Sequence, residues 1–392
     1  MYLTREEERI LDGEHGWAEQ ICMRILVKLG DLFGASKLIP INSAHVSGVS
    51  YKTLGDAPID FLQALAENGA KAKVNTTLNP SSIDKEHFKN QIPKEYFVKQ
   101  ERILELFRKM QVKPLLSCTP YYTEPVLRNM HMAWSESSAV VYANSVLGAW
   151  TNREGGPSAL AAAIIGKTPD YGLHRPENRA ASVQVKLEAE LKNEAEYGAL
   201  GILVGKNFPN EIPMFQGLKA PDEDCLKQLG AALASTGAAN MFHYKPKTSV
   251  KEPLEKLTVD MKALEQTAQA LSTADVEAEP DLVFIGCPHC SLNEVRRIAR
   301  LIQGRKVKPS LRLWICTSRN VKQKAKPYVE TIEKTGAKVL CDTCAVVTWT
   351  SLMGINTIMT NSAKTAYYAP TLNKAQTIFA PLRKCLKTAL NS

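Results

Sequence analysis

A short apolar run, an abrupt change to small polar residues and then a helical stretch recur along this chain, and no other feature restricts its folding as strongly. The runs at 37–41, 70–74 and 114–116 lead into Asn42 to Ser50, Asn75 to Thr77 and Ser117 to Tyr122. Runs at 281–286, 311–316, 338–340 and 356–359 repeat the pattern, with helices predicted over 57–68, 291–303 and from 319 towards 335. Strands alternating with helices of this length imply an α/β fold with mostly parallel sheets covered on both faces. Functional groups then collect beyond the carboxyl ends of the strands.

The remaining segments set the domain plan. Thr4 and Glu7 have the spacing of a capping box, opening an amphipathic helix that continues towards residue 32 with an interruption near Gly13. In the middle of the chain, 183–196 reads as a charged helix, 200–204 as a strand and 226–234 as a helix. Residues 245–280, rich in Lys, Glu, Pro and Thr, give the clearest boundary, with a helical stretch at 259–271. The expected domains are 1–150, 151–275 and 276–392. Residues 135–158 mix apolar residues with many donors and acceptors. Unpaired buried polar groups cost about 1–3 kcal/mol each, so this stretch points to a polar cavity or a dense internal network.

At 392 residues the chain is long enough for several domains with substantial cores. Its longest uncharged run, 137–152, contains Tyr, Asn and Ser and falls short of the roughly 20 apolar residues a bilayer requires, so no membrane span is expected. The N-terminus lacks the charged-then-apolar order of a secretory signal, and the expected location is the cytoplasm. Lys and Arg number 49 against 40 Asp and Glu, a formal net charge of +9. The cations are scattered, as at Lys71, Lys73, Lys245 and Lys247, which argues against nucleic acid. A phosphorylated metabolite or an acidic partner subunit accounts for the excess.

Nine cysteines, an odd count without a secretory signal, argue against a disulfide framework. Four form the pairs Cys287/Cys290 and Cys341/Cys344. Paired CxxC elements suggest structural zinc, but ribbon-type sites use intervals nearer about twenty residues. Cys118, Cys287 and Cys344 each fall at or just past a predicted strand end. Three thiolates from separate loops suit a cubane iron–sulfur cluster with one iron left open, a Lewis acid able to assist loss of a hydroxyl as water. The residues alone leave three readings: this cluster, a zinc-stabilised binding protein without enzymatic activity, or inert thiols or a redox pair. Cys22, Cys225, Cys316 and Cys385 default to core packing, and His289 is either a hydrogen-bond donor to substrate or a satisfied loop residue.

Eight segments resemble the aconitase X family: 45–50, 118–121, 134–138, 142–145, 151–157, 286–289, 342–344 and 360–364. The resemblance implies three aconitase-like α/β domains around a 4Fe-4S cluster held by Cys118, Cys287 and Cys344, with Cys287 preferred to Cys290. Within the family, the two-subunit archaeal branch dehydrates (R)-5-phosphomevalonate to trans-anhydromevalonate 5-phosphate, and other members dehydrate cis-3-hydroxy-L-proline. It also implies that the swivelling domain, with the catalytic base, is absent here and lies on a small partner subunit. By motif, Ser47, Gly48, Val49 and Ser50 with Asn75 and Thr76 are expected to line a phosphate or substrate pocket. Glu136 and Ser137 are expected to orient the hydroxyl and carboxylate, His289 to assist, and Lys364 to meet an anionic group. The family pattern has a basic residue before Thr151, where this chain has Trp150.

Overall fold

The computed structural model describes residues 1–88, 91–245, 250–275 and 277–391. Thr4 and Glu7 form the capping box of helix Arg5–Asp12, and Gly13, left-handed, ends it before helix Trp17–Leu32. The first unit contains β1 (Leu38–Pro40), β2 (Ser43–Val46), β3 (Asn75–Leu78), β4 (Met132–Trp134) and β5 (Lys167–Pro169). β2 is the centre of a parallel sheet between β3 and β4, with Ala44 opposite both Thr76 and Ala133. β1 stands apart, paired antiparallel with β5.

This arrangement departs from the sequence reading at three places. The main strands are the polar-looking Ser43–Val46 and Asn75–Leu78, one step beyond the apolar runs. Their polar side chains satisfy each other across the sheet: His45 and Thr77 are register partners joined by a 2.7 Å bond at Nδ1. The runs at 70–74 and 114–116 are not strands, and Leu116 makes one isolated bridge, to Leu78. Helix Gly156–Ile165, buried from Ser158 onwards, packs against β2 and Trp17–Leu32, so the first unit's core continues past residue 150.

The second unit holds β6 (Ala181–Leu187), β7 (Pro213–Gln216) and β8 (Val250–Val259), parallel with β6 in the middle. Residues 183–187 therefore form a strand rather than a helix; Ala181, Val183, Val185 and Leu187 alternate inward, a period of two that the charges obscure. Conversely, 200–204 lies inside helix Glu194–Asn207, apolar because the helix is covered by neighbours on several sides. The segment read as a linker contributes β8 and helix Met261–Ala270; its residues 246–249 and 276 lie outside the described residues.

The third unit follows the sequence closely. β9 (Leu282–Cys290), β10 (Arg312–Thr317), β11 (Lys338–Leu340), β12 (Thr357–Thr360) and β13 (Gln376–Phe379) form a parallel sheet in the order β11-β10-β9-β12-β13. Every residue of β9 is buried, as expected of a central strand covered on both faces. It runs past Gly286 to Cys290, farther than the apolar run suggests. Gly286 is obligatory: its φ is +111°, and a Cβ there would collide with the Cys316 carbonyl. Among the described residues, no helix is long and apolar enough to cross a membrane.

Helices Glu194–Asn207 and Glu223–Thr236 touch backbone to backbone at Gly201, where a Cβ would stand 2.5 Å from the Leu229 carbonyl oxygen. In Gly201→Ala, overpacking of about 1–3 kcal/mol should outweigh the helix-propensity gain of about 1 kcal/mol. Thermal unfolding of the variant should show a lower Tm; an unchanged or higher Tm contradicts this packing.

Candidate active site

Residues that follow β2, β3 and β4 of the first sheet bond to residues that follow β11 and β12 of the third, so the carboxyl ends of the two sheets meet. Buried bonds span large sequence distances. Ser81 N–H and Oγ both donate to the Asp342 carbonyl, at 2.7 and 3.1 Å, and Ser50 Oγ donates to the Val347 carbonyl at 2.9 Å. Asp84 accepts the Cys341 N–H at 2.8 Å and, through its other oxygen, the amides of Glu86 and His87. Glu86 is in turn held by Arg319 and Lys322. Asp84, Glu86 and His87 thus form a latch between units whose acceptor atoms are already engaged.

Within this junction Cys118, Cys287 and Cys344 are buried and lie within electrostatic reach of one another: Cys287 and Cys344 oppose ionisation of Cys118, and Cys287 opposes that of Cys344. Burial pushes Cys118 well above the ordinary thiol range, and the His289 N–H, donating to its Sγ at 3.2 Å, partly offsets this. Burial likewise raises Cys287, against Lys364 and the side chains of Thr365 and Ser362, and raises Cys344 to about 12 against the amides of Val346 and Val347. Cys290 packs into the apolar core with Val283, Ile285 and Ile298, though it too is within electrostatic reach of Cys118. Cys287 and Cys344 instead share the core cluster on the other face of the sheet.

A tetrahedral zinc with bonds of about 2.3 Å needs its sulfurs within about 3.8 Å of each other. Among the described residues, the one His/Cys/Asp/Glu group with ligand atoms all within 4.8 Å is Asp84, Glu86 and His87, so the CxxC cysteines are not gathered as a compact zinc site requires. Three mutually facing thiols at wider spacing fit a group that presents a separate iron to each sulfur.

Glu136 and Lys364 lie beside the thiols. Glu136 follows β4, and its carboxylate accepts from Lys364 Nζ, from Ser138 Oγ at 3.0 Å and from Asn79 Nδ2 at 2.9 Å. Burial pushes the Glu136 carboxyl up, but the Lys364 charge and these donors outweigh it and hold it at about 2. Burial pulls Lys364 down, and Glu136, Cys287 and Cys118 more than reverse this. The pair stays ionised, a fixed dipole rather than a proton carrier. Ser137 Oγ is 3.4 Å from Lys364 Nζ.

Other expected residues divide. Ser47 sits in the junction, its N–H and Oγ bonded to Ser135, with Gly48 exposed beside it. Val49 and Ser50 are buried in the loop's packing, their polar groups committed to Gln100 and Val347. Asn75 and Thr76 are corrections: they begin β3, at the sheet's far end, because the strand starts where the sequence reading ended it. Asn79, just past β3, is the residue that reaches Glu136. His289 is another correction: Ser117 Oγ meets its Nδ1 and the Thr343 carbonyl meets its Nε2, both at 3.0 Å, so the ring is a strut. Lys52 went unread as well; it is half-buried, and its Nζ donates to the Val346 carbonyl at 3.1 Å. The sequence placed both Asn79 and Lys52 within three residues of segments already singled out, which was the available signal.

The second unit supplies none of the three junction thiols but reaches the junction through Lys227, whose side chain is fully buried. Its Nζ donates to the His289 carbonyl at 3.2 Å and pairs with Glu294.

An α/β fold with three buried thiols near meeting strand ends has the donor set of proteins that hold an inorganic cofactor away from solvent. Family models for the first, second and third domains of aconitase X match residues 1–177, 181–269 and 280–391, and the chain belongs to the aconitase X family. It is 46% identical to the phosphomevalonate dehydratase large subunit of Methanocaldococcus jannaschii, over 99% of this chain and 100% of that one. The crystal structure of Thermococcus kodakaraensis aconitase X in its holo-form matches with a TM-score of 0.92 and 45% identity, covering 99% of this chain and 100% of that one. A more distant relative, the cis-3-hydroxy-L-proline dehydratase of Pseudomonas aeruginosa, is 34% identical over 98% of this chain and 69% of its own length. These relatives are named as dehydratases, and membership of the family suggests an iron–sulfur cluster. The name "large subunit" implies a small partner.

Two measurements follow. Removing one partner of a buried ion pair costs about 3–5 kcal/mol, whereas replacing both by apolar groups is often near neutral. Lys227→Met should lower the denaturation midpoint sharply and Lys227→Met with Glu294→Leu should recover most of it; equal losses in both contradict the pairing. Burial also holds His45 down at about 4, against 6.5 for an unhindered ring. The unfolded chain then takes up a proton that the fold refuses, so wild type loses stability as pH falls from 6.5 towards 4 by up to about 1.4 kcal/mol per pH unit. The stability gap between wild type and His45→Gln should narrow over that window, read from urea melts; a constant gap removes His45 from the account.

Proposed function

We propose that this chain is the large subunit of a cytoplasmic hydro-lyase that dehydrates (R)-5-phosphomevalonate to trans-anhydromevalonate 5-phosphate in an archaeal mevalonate route to isoprenoids. The observation that carries the proposal is the convergence of Cys118, Cys287 and Cys344 beside the Glu136–Lys364 pair. The three thiols fit a 4Fe-4S cluster held at three corners. When bound, such a cluster supplies a Lewis-acidic iron that makes a hydroxyl a better leaving group.

The chain's own residues prepare the rest of the reaction. Lys364, kept cationic by Glu136, and the Ser137 hydroxyl offer donors to an anionic oxygen of the substrate. Glu136, saturated with donors and ionised, fixes Lys364 without exchanging protons. The buried segment after β4, Ser135 to Ser138, limits the access of water to these groups. No group described so far is free to abstract the substrate proton, because His289 and Glu136 are committed; the base is assigned to a small swivelling partner subunit.

The test is anaerobic co-purification with the small subunit. The complex should be coloured, contain iron and turn over phosphomevalonate far faster than cis-3-hydroxy-L-proline. Cys118→Ala and Cys287→Ser should each remove iron and activity, and Cys290→Ser should retain both. Zinc in place of iron, or a preference for hydroxyproline, overturns the reading.

A further inference from the structure

The proposed substrate carries two anionic ends, a carboxylate and a phosphate, and the junction's electrostatics match only one of them to the groups considered so far. Lys364 is already neutralised by Glu136. Lys52 is different. It is half-buried, its Nζ touches the Val346 carbonyl, and among the described residues no carboxylate pairs with it. A cation taken out of water without a counter-charge is costly, and the cost is recovered when an anion arrives.

The position is also built rather than incidental. Ser50 Oγ donates to the Val347 carbonyl at 2.9 Å and Thr53 Oγ1 to the Ser50 carbonyl at 3.0 Å, while the Tyr51 N–H is held by Gln100 at 2.9 Å. These bonds fix the segment on both sides of Lys52 against the loop that carries Cys344. Burial draws the Lys52 ammonium down to about 8, and Cys344 acts in the opposite direction, which places the lysine within electrostatic reach of the thiols. Arg153, by contrast, is exposed, its charge open to water and its Nη1 donating to the carbonyls of Ala234 and Gly237.

We propose that Lys52 takes the phosphate of the substrate and thereby sets the preference for a phosphorylated hydroxy acid. This assignment rests on the dehydratase reading above. A charged hydrogen bond of this kind changes binding by about 10- to 100-fold.

The experiment uses the two-subunit holoenzyme and two ligands, phosphomevalonate as substrate and unphosphorylated mevalonate as competitive inhibitor. In Lys52→Met, kcat/KM for phosphomevalonate should fall by about 10- to 100-fold while the inhibition constant for mevalonate and the iron content stay at wild-type values. Lys52→Arg should recover part of the loss. Unchanged kinetics in Lys52→Met overturn the proposal, as does an equal weakening of mevalonate, which would place the lysine on the carboxylate. Loss of iron with an unchanged KM also overturns it, by assigning the lysine to the thiols. If the wild-type complex fails to dehydrate phosphomevalonate, the underlying reading fails; if it succeeds and Lys52→Met behaves like it, only the lysine's role does.

Discussion

Everything in the site depends on two parallel sheets meeting end to end and being fastened there by buried hydrogen bonds. The fasteners join residues far apart in the chain; Ser81 and Asp342 are separated by 261 positions. Each is a modest bond by itself, worth about 1 kcal/mol net, but leaving either partner unmet in a dry junction would cost more. The spacing of three sulfurs is therefore a property of the folded protein, set by backbone and hydroxyl contacts that are not themselves ligands.

Charge at the junction follows the same economy. Glu136 and Lys364 cancel each other, the thiols resist ionisation because they are buried and crowd one another, and His45 and His289 are kept neutral by burial. Protons must leave when thiols take up a metal, so cofactor capture and local charge are linked. Lys52, with no carboxylate beside it among the described residues, departs from this neutrality, and the departure is informative because burying a cation without a counter-charge is unfavourable.

The sequence was most legible where hydrophobicity and secondary structure agree. In the third unit, β9 to β12 appear as apolar runs because their sheet is covered on both faces, and Ser291 and Glu294 mark a helix start that the structure keeps. It was least legible where polar residues are buried in strands. His45 and Thr77 pair across β2 and β3, so those strands look like loops, and a shift of one strand end exchanged Asn75 and Thr76 for Asn79. The middle unit inverted the usual cues: an exposed face made β6 look helical, and enclosure made helix Glu194–Asn207 look like a strand. Of the three thiols, Cys344 follows β11 as read, Cys118 follows only the isolated bridge at Leu116, and Cys287 lies within β9, which runs on to Cys290.

Lys227 gives the unit that contributes none of the three thiols a share in placing them. Its ammonium grips the carbonyl of His289, between two cysteines of β9, while sharing its charge with Glu294 in the first turn of the following helix. An exchange of the middle unit alone, by recombination with a distant homologue lacking that lysine, would strand a carbonyl and a carboxylate in the dry interior. The second and third units are thus coupled through a single side chain, whatever freedom their surfaces retain.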